Sequence, residues 1–216
     1  MEARSLFANE RETHEFLAAL RDKAGEGSIH YIQVETRTKY GSPVNKILRD
    51  DTMPLDRVVN FVHSATPARG FYVKGEPIDN SGVVVYLTPE PRDCERAAKE
   101  VCAKFILGQC KADLGWAFKA EAQRHPQSRR ILDVDVDDKA LYEPVRDMLA
   151  AEGVQPGFVL ETRGGFHFVC YDLTEAQQKA IHLFAKDVPK VELLKNSMVP
   201  LPGTLQGGRE VKWLRT

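Results

Sequence analysis

Leu132-Asp133-Val134-Asp135-Val136-Asp137-Asp138 decides the fold, because it reads as an apolar strand with an aspartate at every second position. Successive side chains of a strand point to opposite faces, so Asp133, Asp135 and Asp137 share one face and the apolar residues share the other. Carboxylates this close together repel each other unless a cation lies between them. Oxygen ligands suit Mg²⁺ or Mn²⁺, so the stretch predicts a divalent-metal site. The alternative is a strand that ends in a solvated acidic turn, with Asp138 capping the next helix.

The composition is that of a globular protein without a bulk attraction to polyanions. The 216 residues include 30 basic and 31 acidic side chains, which give a formal charge of −1. Any nucleic-acid site must therefore be a local basic patch. No apolar run approaches the length of a membrane span, and the N-terminus lacks the apolar core of a signal peptide. These features predict a cytosolic protein with no membrane partner.

The cysteines do not form a zinc-binding pattern. Cys94, Cys102 and Cys110 recur at a spacing of eight residues, and Cys170 lies in a predicted strand. None belongs to a C-x-x-C pair, so no zinc is expected. A spacing of eight returns to nearly the same face of a helix, which predicts small, reduced core residues, with a three-cysteine cluster as the alternative.

Hydrophobic periodicity predicts a mixture of helices and strands. Helices are expected at residues 5–24, 93–107 and 141–152, with a further short helix within 111–128. Strands are expected at residues 29–36, 70–74 and 82–88, and residues 37–52 are expected to form polar turns.

A hairpin with a glycine tip follows the acidic strand. Residues 158–162 and 166–171 read as strands joined through Arg163, Gly164 and Gly165. His167 emerges from the second strand beside glycine amides that are expected to be uncovered. Exposed amides, a guanidinium and an imidazole in one place are suited to binding a triphosphate. A buried structural histidine is the alternative.

The order of these features resembles the catalytic core of the archaeo-eukaryotic primase superfamily, the primase-polymerases of phages, plasmids and mobile elements. The resemblance rests on the Asp-x-Asp strand, the helix after it and the Gly-Gly-x-His hairpin. The stretch from Glu192 to Thr204 is similar to that family's third motif, in which an acid precedes a Pro-Gly-Thr turn. The resemblance implies an α/β (α+β) fold in which residues 1–216 form a single catalytic domain. An N-terminal α/β lobe, near residues 1–128, would pack on an RRM-like lobe, near residues 129–216, with the active-site cleft between their sheets.

The resemblance also implies a role for each matching residue. Asp133, Asp135 and Glu192 would be catalytic and would bind two Mg²⁺ or Mn²⁺ ions. The family usually has aspartate at the third place, so Asp187 is the alternative to Glu192. The phosphates of the incoming nucleotide would contact Arg163, Gly164, Gly165 and His167.

Basic residues near the motifs would bind the nucleic acid, although such a scatter of charge also suits an ordinary solvated surface. They are Arg129, Arg130, Lys190, Lys195, Arg209, Lys212 and Arg215. The Pro-rich residues 200–204 are expected to form a loop that lines the site, with a rigid connection as the alternative.

The implied function is that of a DNA primase or polymerase, which primes or extends a strand by two-metal phosphoryl transfer. The implied partners are a single-stranded or primed DNA template, NTP or dNTP, and a replicative helicase or another replication protein. The expected location is the cytoplasm of a bacterial or phage-infected cell. Two alternatives stay open. A nucleic-acid-binding replication module without turnover is favoured by Glu192 and the short stretch after Gly208, and a metal-dependent nuclease would use Asp-x-Asp equally well.

Overall fold

The chain is a mixed α/β protein built on antiparallel sheets, which confirms the predicted fold class at this level. A computed structural model describes residues 5–67, 70–73, 75–110, 113–127 and 131–215. The helices are α1 (Glu10–Ala24), α2 (Val58–Ala65), α3 (Cys94–Ile106), α4 (Leu114–Arg124), α5 (Tyr142–Ala151) and α6 (Glu175–Asp187). The strands are β1 (Ile29–Thr36), β2 (Lys46–Pro54), β3 (Phe71–Val73), β4 (Glu76–Ile78), β5 (Val83–Leu87), β6 (Leu132–Val136), β7 (Phe158–Glu161), β8 (Phe166–Cys170), β9 (Val191–Lys195), β10 (Val199–Pro200), β11 (Leu205–Gln206), β12 (Arg209–Glu210) and β13 (Lys212–Leu214).

Two large sheets form the fold, a four-stranded first sheet and a five-stranded second sheet, and the second sheet contains the acidic strand. Its order is β13-β7-β8-β6-β9, and each neighbouring pair is antiparallel. Leu132, Val134 and Val136 on β6 pack in a core with Leu149 of α5 and Ile181 of α6. The helices therefore cover the apolar face of β6, and the acids lie on the opposite face.

The first sheet has the order β10-β5-β1-β2. Ile32 and Val34 on β1 pack in a core that also contains Leu20 of α1 and Val58 of α2. The alternate residues of β1, which include Gln33 and Glu35, lie on the opposite face of the strand. The edge strand β10 pairs with β5 although it follows β6 to β9 of the second sheet in sequence, so the C-terminal half of the chain completes the first sheet.

Aromatic side chains join the two sheets. The core of the first sheet includes Phe158, Leu160 and Val169 from the second sheet. The Phe16 ring of α1 lies 5.0 Å from the Phe158 ring and 5.9 Å from the Trp213 ring, measured between centroids. The two sheets consequently share a hydrophobic core beside the acidic face of β6.

Several predicted elements match the structure and others do not. Strand β1 covers the predicted residues, whereas α1 begins at Glu10 because the Asn9 side chain caps it by accepting from the Glu12 amide. The polar turns expected at 37–52 were wrong in part, since β2 begins at Lys46. This strand is an edge strand with a single buried position, so it needs no alternating apolar pattern.

The prediction of core cysteines was wrong for α3 and the residues after it. Cys102 is exposed, Cys94 and Cys110 are half-buried, and Cys110 lies beyond the end of α3. The buried face of α3 instead contains Ala97 and Val101. Cys170 on β8 is buried in the second core.

Among the described residues, none of the helices combines the length and the apolar character that crossing a membrane requires.

Candidate functional site

The register of the second sheet gathers the predicted site residues on one face. Asp135 on β6 lies directly opposite His167 on β8 and Glu192 on β9. Residues directly opposite in an antiparallel pair have side chains on the same face. Asp133 is two residues away on the same strand. The predicted alternation of β6 is therefore confirmed, and these four polar side chains belong to the face that the helices leave uncovered.

A cavity of about 560 Å³ lies between the two sheets over this face. From the second sheet and its hairpin it is lined by Asp135, Asp137, Thr162, Arg163, Gly164 and His167. From the first sheet and the segment after β1 it is lined by Gln33, Glu35, Arg37, Lys39, Tyr40 and Tyr86. The cavity thus combines carboxylates, cations and aromatic rings from distant parts of the chain.

Asp133 lies behind His167 and not at the cavity. Its side chain is 0% exposed, and its Oδ2 and Oδ1 atoms lie 3.0 Å and 3.2 Å from Nδ1 of His167. Nε2 of the same ring lies 3.6 Å from Oδ1 of Asp135. A buried carboxylate bonded to one ring nitrogen fixes the tautomer and the orientation of the imidazole. His167 therefore presents Nε2 on the side of Asp135 and the cavity.

Burial and neighbouring carboxylates set the charges at this face. Burial raises the pKa of Asp135, and the carboxylates of Asp133 and Asp137 raise it further, while His167 and Lys39 act against this. Burial lowers the pKa of His167, but the negative charges of Asp133 and Asp135 outweigh burial and leave the pKa raised. Negative charge that is concentrated here would be relieved by a bound cation.

The hairpin between β7 and β8 is held by its own polar groups. The Gly165 amide donates to Oγ1 of Thr162 at 3.1 Å, and the Arg163 amide donates to Oε1 of Gln206 at 3.1 Å. These two amides are already hydrogen-bonded, in contrast to the uncovered turn that we expected. Gly164 and the Arg163 side chain do line the cavity.

Neither candidate for the third metal-binding acid lines the cavity. Glu192 is exposed, lies across the ladder from Asp135, and is not among the cavity-lining residues. The alternative, Asp187, is the exposed last residue of α6. Within the described ranges, no group of three or more His, Cys, Asp or Glu side chains is arranged to hold a metal ion. The carboxylates that line the cavity are those of Asp135 and Asp137 from the second sheet and Glu35 from the first, with Glu192 as a neighbour of Asp135 in the ladder.

The predicted basic residues do not gather around the cavity. Arg129 and Arg130 lie outside the described residues. Lys195 pairs with Leu132 and Lys212 with Glu161, so both lie on the face of the sheet that contacts the helices. Arg209 is exposed and pairs with Gln206, a cavity residue. Lys190 and Arg215 form ion pairs with Asp138 and Glu15.

The loop at residues 200–204 was expected to line the site, and this was wrong. The carbonyl oxygen of Gly203 accepts from the amides of Ala8 and Asn9, and that of Pro202 accepts from Oγ1 of Thr13 at 2.7 Å. The loop is buried against the start of α1. Asp138, by contrast, caps the short helical turn at 139–141 by accepting from the Ala140 amide, as the capping alternative predicted.

Sequence reasoning missed the residues that the first sheet contributes. Residues 37–40 were interpreted as polar turn, yet Arg37, Lys39 and Tyr40 line the cavity. A signal was present on β1, where Gln33 and Glu35 alternate with the apolar Ile32 and Val34. Polar residues at alternate positions of a central strand indicate a face turned toward a polar site.

Comparison with protein-family models, with curated proteins and with solved structures found no match to this chain.

Proposed function

We propose that this protein is a template-directed nucleotidyltransferase, a DNA primase or polymerase that primes or extends a nucleic-acid strand. The observation that carries the proposal is the cavity between the sheets, which places Asp135 and Asp137 together with His167 and Arg163. A nucleoside triphosphate with its divalent cations presents metal to carboxylates and phosphate oxygens to cationic groups. The cavity offers carboxylates to the metal and an arginine and a histidine to the phosphate oxygens.

The donor set suits Mg²⁺ or Mn²⁺. Asp135 and Asp137 offer carboxylate oxygens at the cavity, and Glu192 lies beside Asp135 in the ladder. Mg²⁺ is commonly held by one or two carboxylates together with substrate phosphates rather than by a complete protein cage. When bound, a pair of such ions would activate the attacking hydroxyl and neutralise the charge that develops on the leaving phosphates.

In this proposal Asp133 positions His167 instead of binding metal. Its carboxylate is fully buried and is already bonded to Nδ1 of His167. The fixed ring directs Nε2 toward the phosphates that Arg163 also contacts. The metal-binding acids are then Asp135 and Asp137, which lie two residues further along the chain than Asp133 and Asp135, the pair that the resemblance implies.

The arrangement of the second sheet supports an RRM-like lobe. Its elements follow the order β6-α5-β7-β8-α6-β9, and its strands lie in the order β7-β8-β6-β9, with β13 added at the edge. This is the βαββαβ pattern with the first and third strands central. We infer that the first sheet with its helices forms the N-terminal lobe, and that template and primer enter the cleft between the lobes.

The test is nucleotide incorporation on labelled DNA, primed and unprimed, with NTP or dNTP and either Mg²⁺ or Mn²⁺. Asp135→Asn and Asp137→Asn are each expected to lower the rate at least about 100-fold, because each removes a charge that holds the metal. Asp133→Asn is expected to lower the rate about 10-fold, while the affinity for Mn²⁺ measured by titration calorimetry is unchanged. Asp22→Asn, on the exposed side of α1, is the matched control.

The alternatives predict other products. Metal-dependent shortening of the DNA that is lost in Asp135→Asn would indicate a nuclease. Binding of DNA without extension or shortening would indicate a replication module without turnover. Comparing Glu192→Gln with Asp187→Asn identifies the third acid, since the variant with the larger loss of Mn²⁺ affinity marks the ligand.

A further inference from the structure

The wall of the cavity opposite the acids is cationic, and no sequence motif assigned a role to it. Arg37 and Lys39 follow β1 and line the same cavity as Asp135 and Asp137. They lie in the segment that continues from the first sheet, whereas His167 and Arg163 belong to the second sheet and its hairpin turn. Lys39 is close enough for its charge to act on both Asp135 and His167.

Arg37 is held in place by the protein itself. Its Nη1 lies 3.0 Å from Oε1 of Glu35, and its guanidinium carbon lies 5.8 Å from the centre of the Tyr86 ring. Glu35 is 8% exposed, and its other oxygen accepts from Nε2 of Gln33 at 2.5 Å. Both carboxylate oxygens of Glu35 are therefore occupied. This carboxylate is placed to hold Arg37 and not to bind a metal.

Tyr40 links the cations of the two sheets. Nζ of Lys39 lies 5.3 Å from the centre of the Tyr40 ring, and the guanidinium carbon of Arg163 lies 5.8 Å from it. Cations near an aromatic ring are stabilised by it and lose part of their freedom. The charges of Arg37, Lys39 and Arg163 are thus gathered over Tyr40 and Tyr86.

We propose that Arg37 and Lys39 bind the polyphosphate of a nucleoside triphosphate from the first sheet, and that Glu35 positions Arg37 for this contact. The proposal rests on the proposed function, because it takes the cavity to be a nucleotide site. A triphosphate has enough negative oxygens to contact cations on one wall and a metal bound by Asp135 and Asp137 on the other. A monophosphate has fewer negative oxygens to share between the two walls, so we expect these cations to favour the longer phosphate chain.

Binding of fluorescent nucleotides, without template or primer, tests the proposal. The probes are a fluorescent nucleoside triphosphate and the matching monophosphate in the presence of Mg²⁺, with unlabelled tripolyphosphate as a competitor. Arg37→Gln and Lys39→Gln are each expected to raise the Kd for the triphosphate about 10- to 100-fold, as for other charge-assisted hydrogen bonds. The Kd for the monophosphate is expected to change less than about threefold.

The control variants separate a lost contact from a disturbed fold. Arg49→Gln is the matched control, because the Arg49 guanidinium carbon also lies over an aromatic ring, 5.1 Å from the centre of Phe61, but outside the cavity. It is expected to keep the wild-type Kd. Glu35→Gln keeps the shape of the side chain but removes the ion pair with Arg37. It is expected to raise the triphosphate Kd about 3- to 10-fold, because Arg37 is then less firmly positioned. Circular dichroism checks that each variant is folded.

The outcomes distinguish this inference from the proposed function. If Arg37→Gln loses triphosphate binding but the wild type extends no strand, the inference stands and the polymerase proposal fails. If the wild type extends DNA and Arg37→Gln and Lys39→Gln keep its KM for nucleotide, the inference is overturned alone. Equal losses for monophosphate and triphosphate, or no binding of triphosphate to the wild type, would also overturn it. Competition by tripolyphosphate as strong as that by nucleotide would assign the site to polyphosphate itself and remove the nucleoside from the proposal.

Discussion

Asp133 is a buried charge that contacts a cavity residue, His167, without itself lining the cavity. A fully buried carboxylate is costly unless it is paired and hydrogen-bonded, and the His167 ring provides both. The pair holds the His167 ring in a fixed orientation beside the cavity. This explains why the aspartate that is first in the sequence motif is placed furthest from solvent.

His30 is a buried histidine with a structural role. Its Nδ1 lies 2.8 Å from the Thr88 carbonyl oxygen and its Nε2 lies 3.0 Å from Oγ of Ser28. The Thr88 carbonyl accepts, so Nδ1 carries the proton and Nε2 accepts from the serine hydroxyl. Both ring nitrogens of His30 therefore have partners within the protein.

The buried His30 ring predicts acid sensitivity. Burial, aided by the charge of Arg92, lowers its pKa from 6.5 to about 4. The unfolded chain binds this proton below pH 6.5 and the folded chain does not, so stability is full above pH 6.5 and is lost as the pH falls toward 4. The loss attributable to His30 is about 3 kcal/mol at the acidic end of this window.

Urea unfolding at pH 7, 5.5 and 4.5 measures this effect. His30→Asn keeps a donor toward the Thr88 carbonyl and has no titrating ring, so its free energy of unfolding should fall less steeply than that of the wild type. Parallel pH profiles for the two proteins would contradict the assignment.

At the scale of elements, the contact between the hairpin turn and β6 fixes the site. A side chain on Gly165 would overlap the carbonyl oxygen of Val136, the last residue of β6. The absence of a side chain at this position lets the turn lie against the strand end from which Asp137 continues. Glycine is therefore required here for close approach of two backbones.

Gly165→Ala is expected to destabilise the protein by about 3 kcal/mol, because a backbone cannot move aside as a flexible side chain can. Gly164→Ala is the matched control, since its added Cβ would meet Oδ1 of Asp137 at an ordinary 3.8 Å. Chemical denaturation of both variants measures the difference. Similar free energies of unfolding for the two alanine variants would show that the hairpin does not depend on this contact.

At the scale of the whole molecule, the two sheets are expected to unfold together. The core of the first sheet contains Phe158 and Val169 of the second, and Phe16 contacts both Phe158 and Trp213. The strand β10 ties the C-terminal half of the chain to β5. Cooperative unfolding is the ordinary result when two units share one core.

Phe158→Ala is expected to cost about 3 to 5 kcal/mol and to lower the stability of both sheets in one transition. Trp213, in the shared core, reports on the junction through its fluorescence, and far-ultraviolet circular dichroism reports on the whole chain. Phe105→Ala is the control, because Phe105 is 59% exposed on α3 and should change stability by no more than about 0.5 kcal/mol. Separate transitions for fluorescence and circular dichroism would instead show two independent lobes.

Local pattern was a good guide to the elements that are buried on one face. The alternation of β6 predicted both its position and its faces, because side-chain direction in a strand depends only on the neighbouring residues, and local pattern also predicted the positions of β1 and β8. The pattern failed for β2, a polar edge strand, and for residues 200–204, where proline and glycine indicated a loop but not its contacts. The position of an edge strand and the contacts of a packed loop depend on residues that are distant in sequence, so a local pattern does not predict them.

The sequence by itself determined that Asp133 and Asp135 share one face of a strand and that a glycine hairpin bearing His167 follows it. The tertiary structure decided their depth, with Asp133 buried behind His167 and with Asp135 and Asp137 at the cavity. It also brought Arg37 and Lys39 to the opposite wall from nearly a hundred residues earlier in the chain. The physical reason is that the face on which a strand residue lies depends on local backbone geometry. Its burial, and the residues that lie across the cavity from it, depend on how the two sheets pack together.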